Sequence, residues 1–108
     1  MNRNIKFKLQ RLFNLRLTPL YSKYKSYTMI TKEIYFSNLK ICKDFGNING
    51  EIVECGTWKG GMIAGIAEVL GPDRNYFLFD SYEGLPDATE KDGKSAFDYQ
   101  QNKNSPGY

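Results

Sequence analysis

Apolar residues recur along this chain with a helical period in three places and with strand character in two. Within residues 3–17, Ile5, Leu9, Leu12 and Phe13 fall at i, i+4, i+7 and i+8, with Arg and Lys on the remaining faces, which predicts an amphipathic helix. Thr18-Pro19 should end it, because the residue before proline resists the α region. A second helix is predicted from about Thr31 to Phe45, with Thr31 as N-cap. There Ile34, Ile41 and Phe45, flanked by Tyr35 and Cys42, keep the period. Gly46-Asn47-Ile48-Asn49-Gly50 is a turn cluster. A short strand follows at about Glu51 to Cys55, then a helix from about Gly60 to Leu70. In that helix Ile63, Ile66, Ala67 and Leu70 sit at i, i+3, i+4 and i+7, and Gly71-Pro72 supplies a stop. Asn75 to Asp80 reads as a second strand whose Tyr-Phe-Leu-Phe core suits burial on both faces. From Ser81 onward Gly, Pro, Asp, Lys, Asn and Ser dominate. That stretch reads as loop, with at most a short helix around Ser95 to Asn102.

Helix, strand, helix, strand is the order of a parallel β-α-β unit with a right-handed crossover, which places the chain in the α/β class. An open sheet of six or seven such strands needs roughly 200 residues. A chain of 108 residues has room for one small domain. The reading is therefore a helical arm over residues 1–49, followed over 50–108 by the N-terminal portion of a cofactor-binding domain, apparently truncated.

Charge sharpens that division. Arg3, Lys6, Lys8, Arg11, Arg16, Lys23 and Lys25 give residues 1–27 a local charge of +7, while residues 28–108 carry −4. The basic character belongs to the arm and not to the cofactor-binding part. No run approaches the ~18 apolar residues of a membrane span. Cys42 and Cys55 form no CxxC pair and histidine is absent, which argues against a zinc site and a disulfide framework and makes a reducing cytoplasm the simplest home. Glu83, Asp87, Glu90 and Asp92 invite a metal reading, yet charged loop residues are usually solvated, and no metal ligand is assigned.

The candidate chemistry lies where the first strand meets its helix. Gly56 lets the backbone approach a ligand without a Cβ in the way. Gly60 and Gly61 open a helix whose N-terminus offers unpaired N–H groups and positive dipole density. Asp80 follows Gly56 by 24 positions, near the roughly 20 expected of a strand-end carboxylate that holds a ribose hydroxyl. A turn-capping role for Asp80 competes with that one. Glu54 is harder to set aside, since an unpaired buried acid is costly and needs a donor. Trp58 either packs the loop or touches a ligand, and Cys55 reads as an inert core thiol. The spelling GxxxGG puts Trp58 where the dinucleotide fingerprint has its second glycine, which disfavours NAD. Gly93-Lys94-Ser95 is not a P-loop end, because Ala occupies position 88 and no strand precedes it.

What remains is an acid-x-Gly-x-x-x-Gly turn, and here the chain resembles the class I S-adenosylmethionine-dependent methyltransferases. The stretch Gly50-Glu-Ile-Val-Glu-Cys-Gly-Thr-Trp-Lys-Gly-Gly61, together with Phe79-Asp-Ser-Tyr-Glu-Gly-Leu-Pro86, resembles the macrocin O-methyltransferase family, enzymes that methylate sugar hydroxyls on macrolide antibiotics. The resemblance covers roughly Thr28 to Pro86. It implies a Rossmann-like fold and S-adenosylmethionine as cofactor. Glu54 and Gly56 would border its methionine end, with Gly60 and Gly61 beside it at the helix start, and Thr57 would also bind the cofactor. Asp80 would accept from the ribose hydroxyls, Ser81 and Tyr82 would line the adenosine side, and Glu83 to Pro86 would form a loop over the cofactor mouth. The family's magnesium-binding acids and catalytic base would lie beyond the second strand, in sequence outside these 108 residues. The acceptor would be a sugar-like small-molecule hydroxyl and not a nucleic acid.

For the arm, the resemblance implies helices that pack on the catalytic domain, cover the acceptor site or build a homo-oligomer. Two other readings are an amphipathic helix lying on an anionic membrane surface and an organelle presequence. Against the methyltransferase reading stand a non-catalytic basic helical interaction module with a β-α-β remnant, and another Rossmann-like enzyme using a sugar nucleotide or NAD.

Overall fold

A computed structural model describes residues 3–102 of the chain, with side chains from Asn14 onward. The elements in order are α1 (Arg3–Tyr24), a 3-10 turn (Lys25–Tyr27), α2 (Lys32–Asp44), β1 (Ile52–Cys55), α3 (Gly61–Leu70), β2 (Tyr76–Phe79), a second 3-10 turn (Glu90–Asp92) and α4 (Lys94–Gln101). The face predicted from Ile5, Leu9, Leu12 and Phe13 lies outside the described side chains. No helix among the described residues is long and apolar enough to cross a membrane.

Thr18-Pro19 does not end the first helix, which continues through Pro19 to Tyr24. Proline removes one intrahelical hydrogen bond and ordinarily kinks or breaks a helix. Here the Thr18 hydroxyl donates to the Asn14 carbonyl at 3.0 Å, and the residues beyond the proline are tied down by packing. Leu17 is buried, and Leu20, Tyr21 and Tyr24 pack against the core. Tertiary burial outweighs a local preference of this size.

The core itself lies among the helices. Leu17 from α1 meets Tyr35, Phe36 and Leu39 from α2, with Met62, Ile66 and Val69 of α3 packed against them. Tyr35 and Leu39 have no exposed surface, and burying a leucine side chain stabilises by about 1.5–3 kcal/mol. Tyr21 meets both Tyr35 and Phe36 edge-on, at centroid distances of 5.3 and 6.3 Å. Thr31 caps α2, its hydroxyl accepting from the Ile34 N–H at 3.5 Å. The apolar face expected to be buried, Ile34, Ile41 and Phe45, is instead exposed. The face one residue along, Tyr35 and Leu39 with Phe36 beside them, carries the packing.

Two glycines allow the helices to come this close. A Cβ on Gly61 would meet the backbone of Tyr27, and one on Gly65 would meet the Tyr35 hydroxyl. That hydroxyl donates to the Gly61 carbonyl at 3.0 Å, and burial pushes its pKa up to about 12.

The two strands pair in parallel, Ile52 opposite Tyr76, Val53 opposite Phe77, Glu54 opposite Leu78 and Cys55 opposite Phe79. They form a two-stranded sheet, the parallel pairing expected of a β-α-β unit. Glu51 anchors its start, accepting from the Asn75 backbone and side-chain amides at 3.0 and 3.1 Å. The composition of β2 suits burial on both faces, but Phe77, Leu78 and Phe79 are exposed, as is Val53 of β1, the uncovered apolar faces expected of two strands taken alone. The short helix expected near the end is present, beginning one residue earlier at Lys94.

Candidate functional site

Both strands stop at the same level, where the Gly56 N–H donates to the Phe79 carbonyl at 2.8 Å. From that point the chain turns through Gly56, Thr57, Trp58, Lys59 and Gly60 into α3. Gly56 and Gly60 both lie at φ 79°, a left-handed conformation that glycine adopts without steric cost. The Gly60 N–H closes the turn onto the Thr57 carbonyl at 2.9 Å. Thr57 is buried, and its hydroxyl donates to the Glu54 carbonyl at 3.4 Å. A Cβ on Gly56 would have no heavy atom within 4 Å. There is open space beside that glycine, as an approaching ligand requires.

Trp58 and Tyr82 are the non-glycine residues with positive φ among the described residues, at 49° and 56°. Such a conformation costs of order 1–3 kcal/mol and persists only where its surroundings impose it. One side chain does so for both. Asp80 Oδ2 accepts the Trp58 N–H at 2.8 Å, and Asp80 Oδ1 accepts the Tyr82 N–H at 3.0 Å. The turn-capping role weighed for Asp80 is thus realised, and its carboxylate also reaches across to the glycine turn. The Tyr82 and Trp58 backbone amides, in that order, hold its carboxyl below the usual aspartate range. The Thr57 and Ser81 amides add smaller contributions in the same direction.

Glu54 presents the opposite electrostatic case. Its Oε2 is buried without a hydrogen-bond partner. Burial raises its pKa, and the Thr57 hydroxyl acts in the other direction. A buried acceptor left unpaired costs about 1–3 kcal/mol, more when charged, so this oxygen calls for a donor or a cation that the described residues do not provide.

The structure brings Glu54, Gly56, Thr57, Gly60, Asp80, Ser81 and Tyr82 to the carboxyl ends of the paired strands and the turns that leave them. Gly61 sits at the first position of α3, but its α-carbon faces the Tyr27 backbone. Cys55 is exposed, not a core thiol, because the face of β1 it shares with Val53 is uncovered. Among the described residues no three His, Cys, Asp or Glu gather as a metal site.

Sequence reasoning missed the left-handed Trp58, which carries no signal in the sequence, since the fingerprint's glycine at that position serves close approach of a pyrophosphate and not a positive φ. The Lys59 ammonium lies 4.8 Å from the centre of the Trp58 ring. Gln100 was also missed. Its amide engages the loop after Asp80, and a single glutamine on a helix carries no sequence signal.

A family model described as Macrocin-O-methyltransferase (TylF) matches residues 14–106. No curated protein matches the chain, and no solved structure does.

Proposed function

This chain belongs to the macrocin O-methyltransferase family, and from that premise we propose that it forms the cofactor-binding part of an S-adenosylmethionine-dependent O-methyltransferase with a Rossmann-like sheet. The observation that carries the reading is the unpartnered Glu54 Oε2, buried at the end of β1. Beside it is the open space at Gly56. Across the turn stands Asp80, its carboxylate held against the same turn.

Two acceptors suit the cofactor's two ends. Glu54 takes the cationic amine of the methionine part, which would relieve its unpaired oxygen. Gly56, Thr57 and Gly60 shape the turn, whose backbone comes close to the ligand because Gly56 has no Cβ. Asp80 accepts from the ribose hydroxyls, and Ser81 and Tyr82 border the adenosine. When bound, the cofactor supplies an activated methyl group on a sulfonium.

In such a transfer the protein's part is positioning, which lowers the barrier by holding reactants in line. Asp80 serves that role twice, binding the ribose and fixing the Trp58 and Tyr82 backbones that frame the site. The acceptor is a hydroxyl on a sugar or similar small molecule, and it must lose its proton to a base. That base, and the magnesium the family resemblance implies, are assigned to no described residue of this chain.

Calorimetry with S-adenosylhomocysteine and with NAD tests the reading, on this chain and on a longer family member carrying the same two motifs. Tighter binding of S-adenosylhomocysteine is the expected result. Equal or tighter binding of NAD overturns it.

A further inference from the structure

The loop that leaves Asp80 is held at its far end by one side chain. Gln100, half-buried near the end of α4, reaches back to the backbone on both sides of Asp87. Its Nε2 donates to the Pro86 carbonyl at 2.6 Å, and its Oε1 accepts the Ala88 N–H at 2.6 Å. A primary amide that donates to one residue and accepts from the next but one imitates a neighbouring strand, and it fixes position and orientation together. Between the loop and α4 lies a cavity of about 250 Å³, whose lining includes Leu85, Asp87, Asp92, Ala96, Tyr99 and Gln100.

Toward Asp80, the same loop is held by the Tyr82 hydroxyl, which donates to the Leu78 carbonyl at 3.4 Å, and by bonds within its own turn. The Ser81 hydroxyl accepts the Glu83 N–H at 3.3 Å and donates to the Gly84 carbonyl at 3.4 Å, both within one turn. Gly84 lies at φ 81°, a natural pivot. Residues 82–87 are exposed. Packing therefore does not set the path of this segment. Asp80 ties one end to the glycine turn, and Gln100 ties the other to α4.

We propose that Gln100 is a positioning residue that clamps the Ser81–Ala88 loop, so that Ser81 and Tyr82 are presented to the cofactor in one arrangement. The proposal rests on the cofactor site proposed above. Gln100 touches no reacting atom. It acts by removing loop conformations that binding would otherwise have to exclude, and ordering a segment in advance improves affinity in that way.

The test compares the wild-type chain with Gln100→Leu and Gln100→Glu. Amide exchange is followed without ligand, and S-adenosylhomocysteine binding is measured separately by calorimetry. Gln100→Leu removes both hydrogen bonds. It should speed Ala88 amide exchange at least about tenfold and weaken binding by about three- to tenfold, the scale of one or two net hydrogen bonds. Exchange within α4 and α3 should stay unchanged, which separates a loop effect from loss of fold. Gln100→Glu keeps the acceptor for Ala88 and loses the donor to Pro86, so it should fall between wild type and Gln100→Leu in both measurements.

Unchanged Ala88 exchange in Gln100→Leu overturns the clamp. Faster exchange with unchanged affinity overturns its role in positioning. A wild-type chain that binds no S-adenosylhomocysteine overturns the cofactor reading and the positioning role with it, while exchange at Ala88 still decides whether the clamp exists.

Discussion

The Asp80 carboxylate holds the backbone of Trp58. Oδ2 accepts the Trp58 N–H at 2.8 Å, and the residue so held sits at φ 49°. The glycine turn after β1 and the acidic end of β2 are therefore one structural unit, and Asp80 is both an architectural and a proposed binding residue. Asp80→Ala should weaken S-adenosylhomocysteine binding about 10- to 150-fold, the scale for loss of hydrogen bonds to a charged group. It should also lower the melting temperature, because Trp58 and Tyr82 lose the acceptor that holds them in the left-handed region. Asp80→Asn, which keeps one oxygen acceptor, should be milder on both counts. The chain has a single tryptophan, so its emission spectrum reports the turn directly.

Asp80 also sets a pH dependence. Its folded pKa is depressed below the ordinary value of 3.8 by the Tyr82 and Trp58 amides. Its stabilisation is therefore present above the unfolded pKa and is lost as pH falls through the lower folded value. Acid titration of the melting temperature should show a drop in that window for wild type and a shallower one for Asp80→Asn.

Glu54 should behave in the reverse sense. Burial raises its folded pKa above the ordinary 4.5, so the unfolded state ionises first. The folded state then loses relative stability as pH rises from the unfolded value to the folded one, and the penalty stays constant beyond it. Glu54→Gln removes the charge, and it should raise the melting temperature at pH 7 while weakening cofactor binding. Stability gained at the expense of binding is the usual mark of a buried group kept for function.

The helical core offers a control remote from the site. Gly65→Ala sets a methyl group against the Tyr35 hydroxyl and should cost about 1–3 kcal/mol in thermal unfolding, as overpacking does. Adding Tyr35→Phe to it should recover part of that loss, because the crowding oxygen is gone. The same oxygen donates to the Gly61 carbonyl, so Tyr35→Phe alone should be mildly destabilising.

Much of this was legible because the relevant preferences are local. Gly46 to Gly50, Gly71-Pro72 and the Thr31 cap punctuate the chain where the elements begin and end, and the spacing from Gly56 to Asp80 set their carboxyl-end positions side by side. Local signals failed where distant partners decide. Pro19 stays helical because Leu20, Tyr21 and Tyr24 beyond it are packed against the core. The buried face of α2 was misplaced by one residue, since Tyr35 fills the space left by Gly65, a relation between two helices that periodicity within one cannot show. The apolar Phe77, Leu78 and Phe79 suit a strand buried on both faces, but burial depends on what lies above them, and two strands alone leave them uncovered. Asp80 was legible as a chemical group, but its grip on two strained backbones was not, because Trp58 is 22 residues away.

The central claim is that the turn between β1 and α3 and the turn after β2 together form one S-adenosylmethionine site. The most direct measurement is a two-dimensional amide NMR titration of the chain with S-adenosylhomocysteine. Saturable shifts confined to Gly56, Thr57, Trp58, Gly60, Ser81 and Tyr82, with saturation moved about 10- to 150-fold higher in ligand concentration in Asp80→Ala, are the predicted result. A titration that leaves these six amides unmoved, or that moves only residues elsewhere in the chain, contradicts the account.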